Sequence, residues 1–169
     1  TQNVVVTDDE DPTITCPATV NVSADAGLCT ASSVSLGSAT TSDNCGVASV
    51  SNDAPATYSL GTTTVTWTVV DINGNSSSCT QNVVVTDNED PTISCPADIT
   101  TAADGGSCVA TGLSLGTPAT SDNCGVASLV NDAPGSFPIG TTLVTWTVTD
   151  NSGNTSTCTQ NIVVTDDED

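Results

Sequence analysis

The chain has 169 residues and a formal net charge of −20, made up of 20 Asp and Glu with no Lys, Arg or His. Without cationic side chains it lacks the means to neutralise nucleic-acid phosphates or to bind an anionic bilayer, which excludes nucleic acid and direct membrane insertion as modes of action. The same absence removes the histidine base, the Schiff-base lysine and every histidine-containing zinc site, and leaves only carboxylate and thiolate chemistry.

In chain order, an acidic run, Thr7-Asp8-Asp9-Glu10-Asp11-Pro12, comes before the first regular stretch. Residues 14–22, 29–36 and 47–51 read as strands, separated by clusters of Gly, Pro, Asp and Asn. In residues 64–69, Val65, Trp67 and Val69 alternate with threonine, so the apolar side chains share one face, as in a half-buried strand. Trp67 is therefore read as core. The threonine rows are read as a solvent face rather than an ice- or sugar-binding surface. The turn Asp71-Ile72-Asn73-Gly74-Asn75 leads into a β-branched strand over 78–85. An Asn-Gly turn between two such runs is the strongest local hairpin signal. Short strands with turn signals about every 8–12 residues predict an all-β chain of tandem immunoglobulin-like antiparallel β-sandwiches.

The pattern repeats. At an offset of 79 residues, Cys16 aligns with Cys95, Cys29 with Cys108, Cys45 with Cys124, Cys79 with Cys158 and Trp67 with Trp146, without a gap. Self-similarity of this kind indicates an array. It divides the chain into residues 1–11, the last strand and linker of a preceding repeat, and two repeats over 12–90 and 91–169. A start within a unit, with neither initiator Met nor apolar signal segment, suggests an excerpt from a longer secreted polymer.

Each repeat carries Asp-Pro-Thr-Ile, Cys-Pro, Ser-Asp-Asn-Cys-Gly, a Tyr or Phe before Leu/Ile-Gly-Thr-Thr, Val-Thr-Trp-Thr-Val, Asp-x-x-Gly-Asn and Cys-Thr-Gln-Asn-Val/Ile-Val-Val. In this order the motifs resemble the hyalin-repeat (HYR) domain over both units. The resemblance implies a non-catalytic, extracellular or cell-surface immunoglobulin-like module, found in tandem and associated with adhesion. It says nothing of the extra cysteines.

Four cysteines per repeat allow three connectivities. If the first and last strands both run from the pole where the chain comes in, the leading pole, Cys16 and Cys79 both lie near that pole. This favours Cys16–Cys79, with Cys29–Cys45 by elimination, and likewise Cys95–Cys158 and Cys108–Cys124. Disulfides suit a secreted chain without a CxxC pair better than thiolate metal binding does.

The acidic runs carry the functional expectation. Residues 7–12, 86–91 and 165–169 lie at the repeat junctions. In an immunoglobulin-like sandwich the leading pole also holds the loops bearing Asp43 and Asp71, or Asp122 and Asp150. Calcium takes six to eight oxygen ligands, which this inventory can supply. The expected ligands are Asp8, Glu10, Asp11, Asp43, Asp71 and Asn73 at one junction, and Asp87, Glu89, Asp90, Asp122, Asp150 and Asn151 at the next. The plainer alternative is that Asp, Asn and Gly are ordinary turn residues and the runs are solvated spacers. The sequence thus points to a structural segment of an extracellular fibre or adhesin stalk, with Ca2+ at its junctions. Its expected partners are neighbouring repeats and lateral copies of the same chain, drawn together once cations screen the charge. The alternative is a spacer or ligand-binding module of a secreted multidomain protein.

Overall fold

A computed structural model describes residues 1–167; Glu168 and Asp169, the end of the third acidic run, lie outside the described residues. The chain divides into two compact units, Thr1–Asp87 and Asn88–Asp169. The first holds β1 (Thr13–Thr15), β2 (Val20–Ser23), β3 (Thr30–Ser32), β4 (Thr40–Ser42), β5 (Val47–Asn52), β6 (Thr57–Ser59), β7 (Gly61–Asp71) and β8 (Ser76–Thr86). The second repeats them as β9 (Thr92–Ser94), β10 (Ile99–Ala102), β11 (Val109–Thr111), β12 (Ala119–Ser121), β13 (Val126–Asn131), β14 (Ser136–Pro138), β15 (Gly140–Asp150) and β16 (Thr155–Thr165). Among the described residues no helix is long and apolar enough to cross a membrane.

The long hairpin β7–β8 organises each unit. Trp67 stands opposite Cys79, and Asp71 lies at the turn end. The first unit's larger sheet runs β2–β8–β7–β5, while β1 pairs with β4 and β3 with β6. From the smaller ladders, Ile14, Ala31 and Tyr58 pack against Val65, Trp67, Val83 and Val85 of the larger sheet. This is an immunoglobulin-like β-sandwich with one parallel pair, β2 against β8. The second unit has the same order, with Phe137 in place of Tyr58.

Local chemistry divides the expected strands. The stretch 14–22 is two strands, β1 on one ladder and β2 on the larger sheet, because Pro17 has no N–H to continue a ladder. The stretch 29–36 keeps only β3, since Ser33 takes a left-handed φ of 53° immediately after it. Residues 1–11 form no strand, and Val4, Val5 and Val6 are 81%, 83% and 90% exposed. Their repeat equivalents lie in β8 and β16, where β7 and β15 complete the ladder.

A polar node sits within each core. The Trp67 indole donates to Gln81 Oε1 at 3.0 Å, and Gln81 Nε2 donates to the carbonyls of Ala18 (2.8 Å) and Leu36 (2.9 Å). Gln160 repeats this with Trp146 (3.2 Å), Ala97 (2.7 Å) and Leu115 (3.1 Å). Both glutamines are buried yet satisfied, so one side chain ties the hairpin to two loops of the sandwich.

Cys16–Cys79 and Cys95–Cys158 form bridges with Cα separations of 5.8 and 5.7 Å. The expected Cys29–Cys45 and Cys108–Cys124 bridges are corrected, because Cys45 and Cys108 are free, exposed thiols. Topology explains the difference. Thr30, next to Cys29, pairs with Ser59, just before β7 begins, whereas Gly46, next to Cys45, accepts from Ile72 N–H, just past the end of β7. A strand of 11 residues spans roughly 35 Å, and a disulfide needs Cα atoms within about 7 Å. In the second unit Cys108 O accepts from Ile139 N–H, beside the start of β15, and Cys124 O accepts from Asn151 Nδ2, beside its end.

Two outcomes follow for stability. Replacing Trp67 with Phe leaves Gln81 Oε1 without its donor and is expected to cost about 1–3 kcal/mol, against about 3–5 kcal/mol for Trp67→Ala, as read by urea unfolding. Cys16–Cys79 and Cys95–Cys158 close loops of equal separation, 63 residues in each repeat, so removing either bridge by paired Cys→Ser substitution should cost its unit roughly 4 kcal/mol, read as similar falls in the two calorimetric transitions.

Candidate metal centre

The centre is built from the turn that closes the long hairpin. Asp71 Oδ1 accepts the backbone N–H groups of Asn73 (2.9 Å), Gly74 (2.6 Å) and Asn75 (2.8 Å), and its Oδ2 accepts Asn75 Nδ2 at 2.7 Å. Gly74 has φ 100°, a left-handed geometry that only glycine adopts without strain. The turn thus folds around a carboxylate that is itself buried. Burial raises the Asp71 pKa, but the bonds from Asn75, Asn73 and Gly74 outweigh it and hold the group below the usual carboxylate value.

Asp43 comes from the loop between β4 and β5. Its Oδ2 accepts the N–H groups of Cys45 (2.9 Å) and Gly46 (2.7 Å), while its Oδ1 is buried without a hydrogen-bond partner. Asp8 arrives from the acidic run. Its carboxylate accepts Asn73 Nδ2 at 2.8 Å, Glu10 N–H at 3.2 Å and Asn44 Nδ2 at 3.3 Å, and its backbone carbonyl accepts Asn75 Nδ2 at 3.1 Å. The Cys45 thiol and the Glu10 N–H hold the Asp8 pKa down, and the bond to Asp8 in turn raises the Cys45 pKa.

Asp8, Asp43 and Asp71 each place a carboxylate oxygen within 4.8 Å of the others. Asp87, Asp122 and Asp150 repeat the grouping, and Asp122 Oδ1 is again buried without a partner. Asp150 Oδ1 accepts Ser152 and Asn154 N–H, and its Oδ2 accepts Asn154 Nδ2 at 2.8 Å; its pKa, raised by burial, is lowered overall by these bonds.

Not every expected ligand gathers. Glu10, Asp11, Glu89 and Asp90 are exposed and stand outside both clusters. The first acid of each run, Asp8 or Asp87, is the one that joins. The last acid precedes a buried proline and therefore keeps an extended backbone at the start of β1 or β9. Asn73 contacts Asp8 through its amide, and Asn151 Nδ2 donates to Cys124 O instead of a carboxylate. Asn75 and Asn154, absent from the expected ligands, are the clamps. Each reaches both the turn aspartate and a backbone carbonyl of the acidic run, Asp8 O or Glu89 O. The final Asn of the Asp-x-x-Gly-Asn motif is the signal that marks them.

The depressed Asp71 pKa makes a signed expectation for the chain in chelator. The group's contribution to stability is fully present above its unfolded value near 3.8 and is lost as pH falls through the lower folded value. Wild-type stability should therefore drop as pH falls from about 3.8 through the lower folded value, and the drop should be smaller in Asp71→Asn, as followed by urea unfolding at stepped pH.

The chain matches the HYR domain over residues 7–85 and again over residues 86–164. It is 34% identical over 163 residues to hyalin of Lytechinus variegatus, covering 91% of this chain and 30% of that protein. Hyalin of Strongylocentrotus purpuratus is 40% identical over 103 residues, covering 57% of this chain and 8% of that one. A sushi, von Willebrand factor type A, EGF and pentraxin domain-containing protein of Rattus norvegicus is 30% identical, over 96% of this chain and 5% of its own length. This chain thus spans under a third of each curated relative. Among solved structures, Drosophila N-cadherin EC1-4 aligns with 93% of this chain and 50% of its own at 9% identity, with a TM-score of 0.47. With both repeats matched nearly end to end, the chain belongs to the HYR domain family.

Proposed function

We propose that the chain is a structural segment of an extracellular repeat fibre or adhesin stalk, stapled within each repeat by a disulfide and stiffened at each acidic cluster by calcium. One observation carries the metal reading. In both repeats three carboxylates meet within 4.8 Å in a protein without a cationic side chain, and one oxygen of Asp43 or Asp122 is buried with nothing to bond. Elsewhere in the turn, carboxylate oxygens are met by N–H donors. A hard, oxygen-seeking cation suits this donor set, because carboxylates, Asn amides and backbone carbonyls are the usual calcium ligands. Asp8, Asp43 and Asp71 would hold the ion in the first repeat, and Asp87, Asp122 and Asp150 in the second. Asn73 becomes a further oxygen donor if its amide turns over.

The ion would replace mutual repulsion of the carboxylates with shared attraction, and so hold the acidic run against the two loops. Repeated β-sandwiches suit a load-bearing or adhesive role, and the family relatives support an extracellular setting. The share of the relatives that this chain matches, 8%, 30% and 5%, fits one stretch of a much longer protein. The rat relative, whose name combines several other domain types, supports a second reading as a spacer within a multidomain surface protein.

The test pairs calorimetry with small-angle scattering, in calcium and in chelator. The wild-type chain is expected to release or take up heat with calcium and to become less flexible. Asp87→Asn combined with Asp150→Asn should lose the second site, whereas Asp90→Asn, outside the cluster, should leave both sites intact. No calcium heat up to millimolar concentration, with equal scattering in every sample, would leave the acidic runs as solvated spacers.

A further inference from the structure

Cys45 and Cys108 are the free thiols of the structure, and both are exposed. They are not equivalents of one another. In the repeat alignment Cys45 corresponds to Cys124 and Cys108 to Cys29, and Cys124 and Cys29 are both disulfide-bonded. Each position therefore occurs once as a thiol and once as half a bridge in the same fold, so the local structure does not forbid bonding at either.

The poles supply the rest. Cys45 belongs to the leading pole. Together with Val6, Thr7 and Asp8, on the segment that leads into the repeat, it lines an open pocket. Cys108 belongs to the trailing pole, where its carbonyl accepts from Ile139 N–H at the start of β15. Because a repeat is a strand's length from pole to pole, its own two extra cysteines cannot meet. A thiol at either pole can be reached only from outside its repeat.

We propose that Cys45 and Cys108 are complementary halves of a repeat-to-repeat disulfide, Cys45 bonding the trailing-pole cysteine of the repeat before it and Cys108 the leading-pole cysteine of the repeat after it. The partner is thus another copy of this repeat. The chemistry is ordinary thiol–disulfide exchange. Two Sγ–H bonds are lost, one Sγ–Sγ bond forms, and two protons and two electrons pass to a disulfide oxidant such as glutathione disulfide, which leaves as two thiols. A secretory or extracellular setting supplies such an oxidant. The proposal rests on reading the chain as part of a repeat array, but not on calcium.

The experiment oxidises the folded chain at high concentration with glutathione disulfide in the presence of chelator, then maps bridges by non-reducing digestion with an acid-specific protease. The expected result is a ladder of oligomers whose cross-linked peptide joins Cys45 of one copy to Cys108 of another. Cys45→Ser alone and Cys108→Ser alone should each remain monomeric, while their mixture should stop at a single dimer. Equal dimerisation of either variant by itself would reduce the effect to indiscriminate thiol oxidation and overturn the proposal. Recovery of Cys29–Cys45 or Cys108–Cys124 within one repeat would overturn it equally. Calcium heat without a ladder removes this proposal alone, and a ladder without calcium heat removes the metal reading alone.

Discussion

The chain has 20 carboxylates and no cationic side chain, so every ionised group drawn inward must be held by neutral N–H donors. Asp71 shows the consequence most fully. Its two oxygens are met by three backbone N–H groups and one amide, and the turn's conformation is the shape that delivers them. At the surface, too, carboxylates collect such donors: exposed Asp53 accepts Thr66 N–H at 2.7 Å, and half-buried Asp25 accepts both Ser32 N–H and its hydroxyl. Buried charge here is a device for ordering loops that have little apolar surface of their own. Asp43 Oδ1 and Asp122 Oδ1 depart from that pattern, and they do so at the same place in both repeats.

The core is correspondingly economical. Each unit has one Trp and one Tyr or Phe, set among valines and small residues. With so little aromatic volume, the position of the Trp matters more than its area. Gln81 or Gln160 takes its indole N–H and spends both amide protons on loop carbonyls. A polar side chain in a small core is tolerable only when fully bonded, and then it specifies how the facing layers fit together.

The β7–β8 hairpin was legible because alternation of Val and Trp with Thr, followed by an Asn-Gly turn, encodes both face and reversal locally. The ladders β1–β4 and β3–β6 were not, since strands of three residues are too short for a period to show. Convergence of the Asp43 and Asp71 loops with an acidic run could be inferred from the architecture of a sandwich. Which acid of the run turns inward could not, because it depends on the path from Asp8 to the buried Pro12. The extra cysteines defeated elimination for a different reason. Closing them within one repeat ignores that Cys29 and Cys45 flank opposite ends of an 11-residue strand.

The Cys16–Cys79 bridge also determines how a pulling force would travel. Tension applied at the two ends of a repeat reaches Cys16 and Cys79 early and passes through sulfur, bypassing the 63-residue separation between them. Only the short tails outside the bridge can be drawn out. That is roughly a fifth of a repeat, or about 50 Å at full extension, where an unbridged repeat of this length would yield several times as much. A chain of such units would be nearly inextensible under load even if its hydrophobic cores opened, with the limit set by covalent bonds in place of packing.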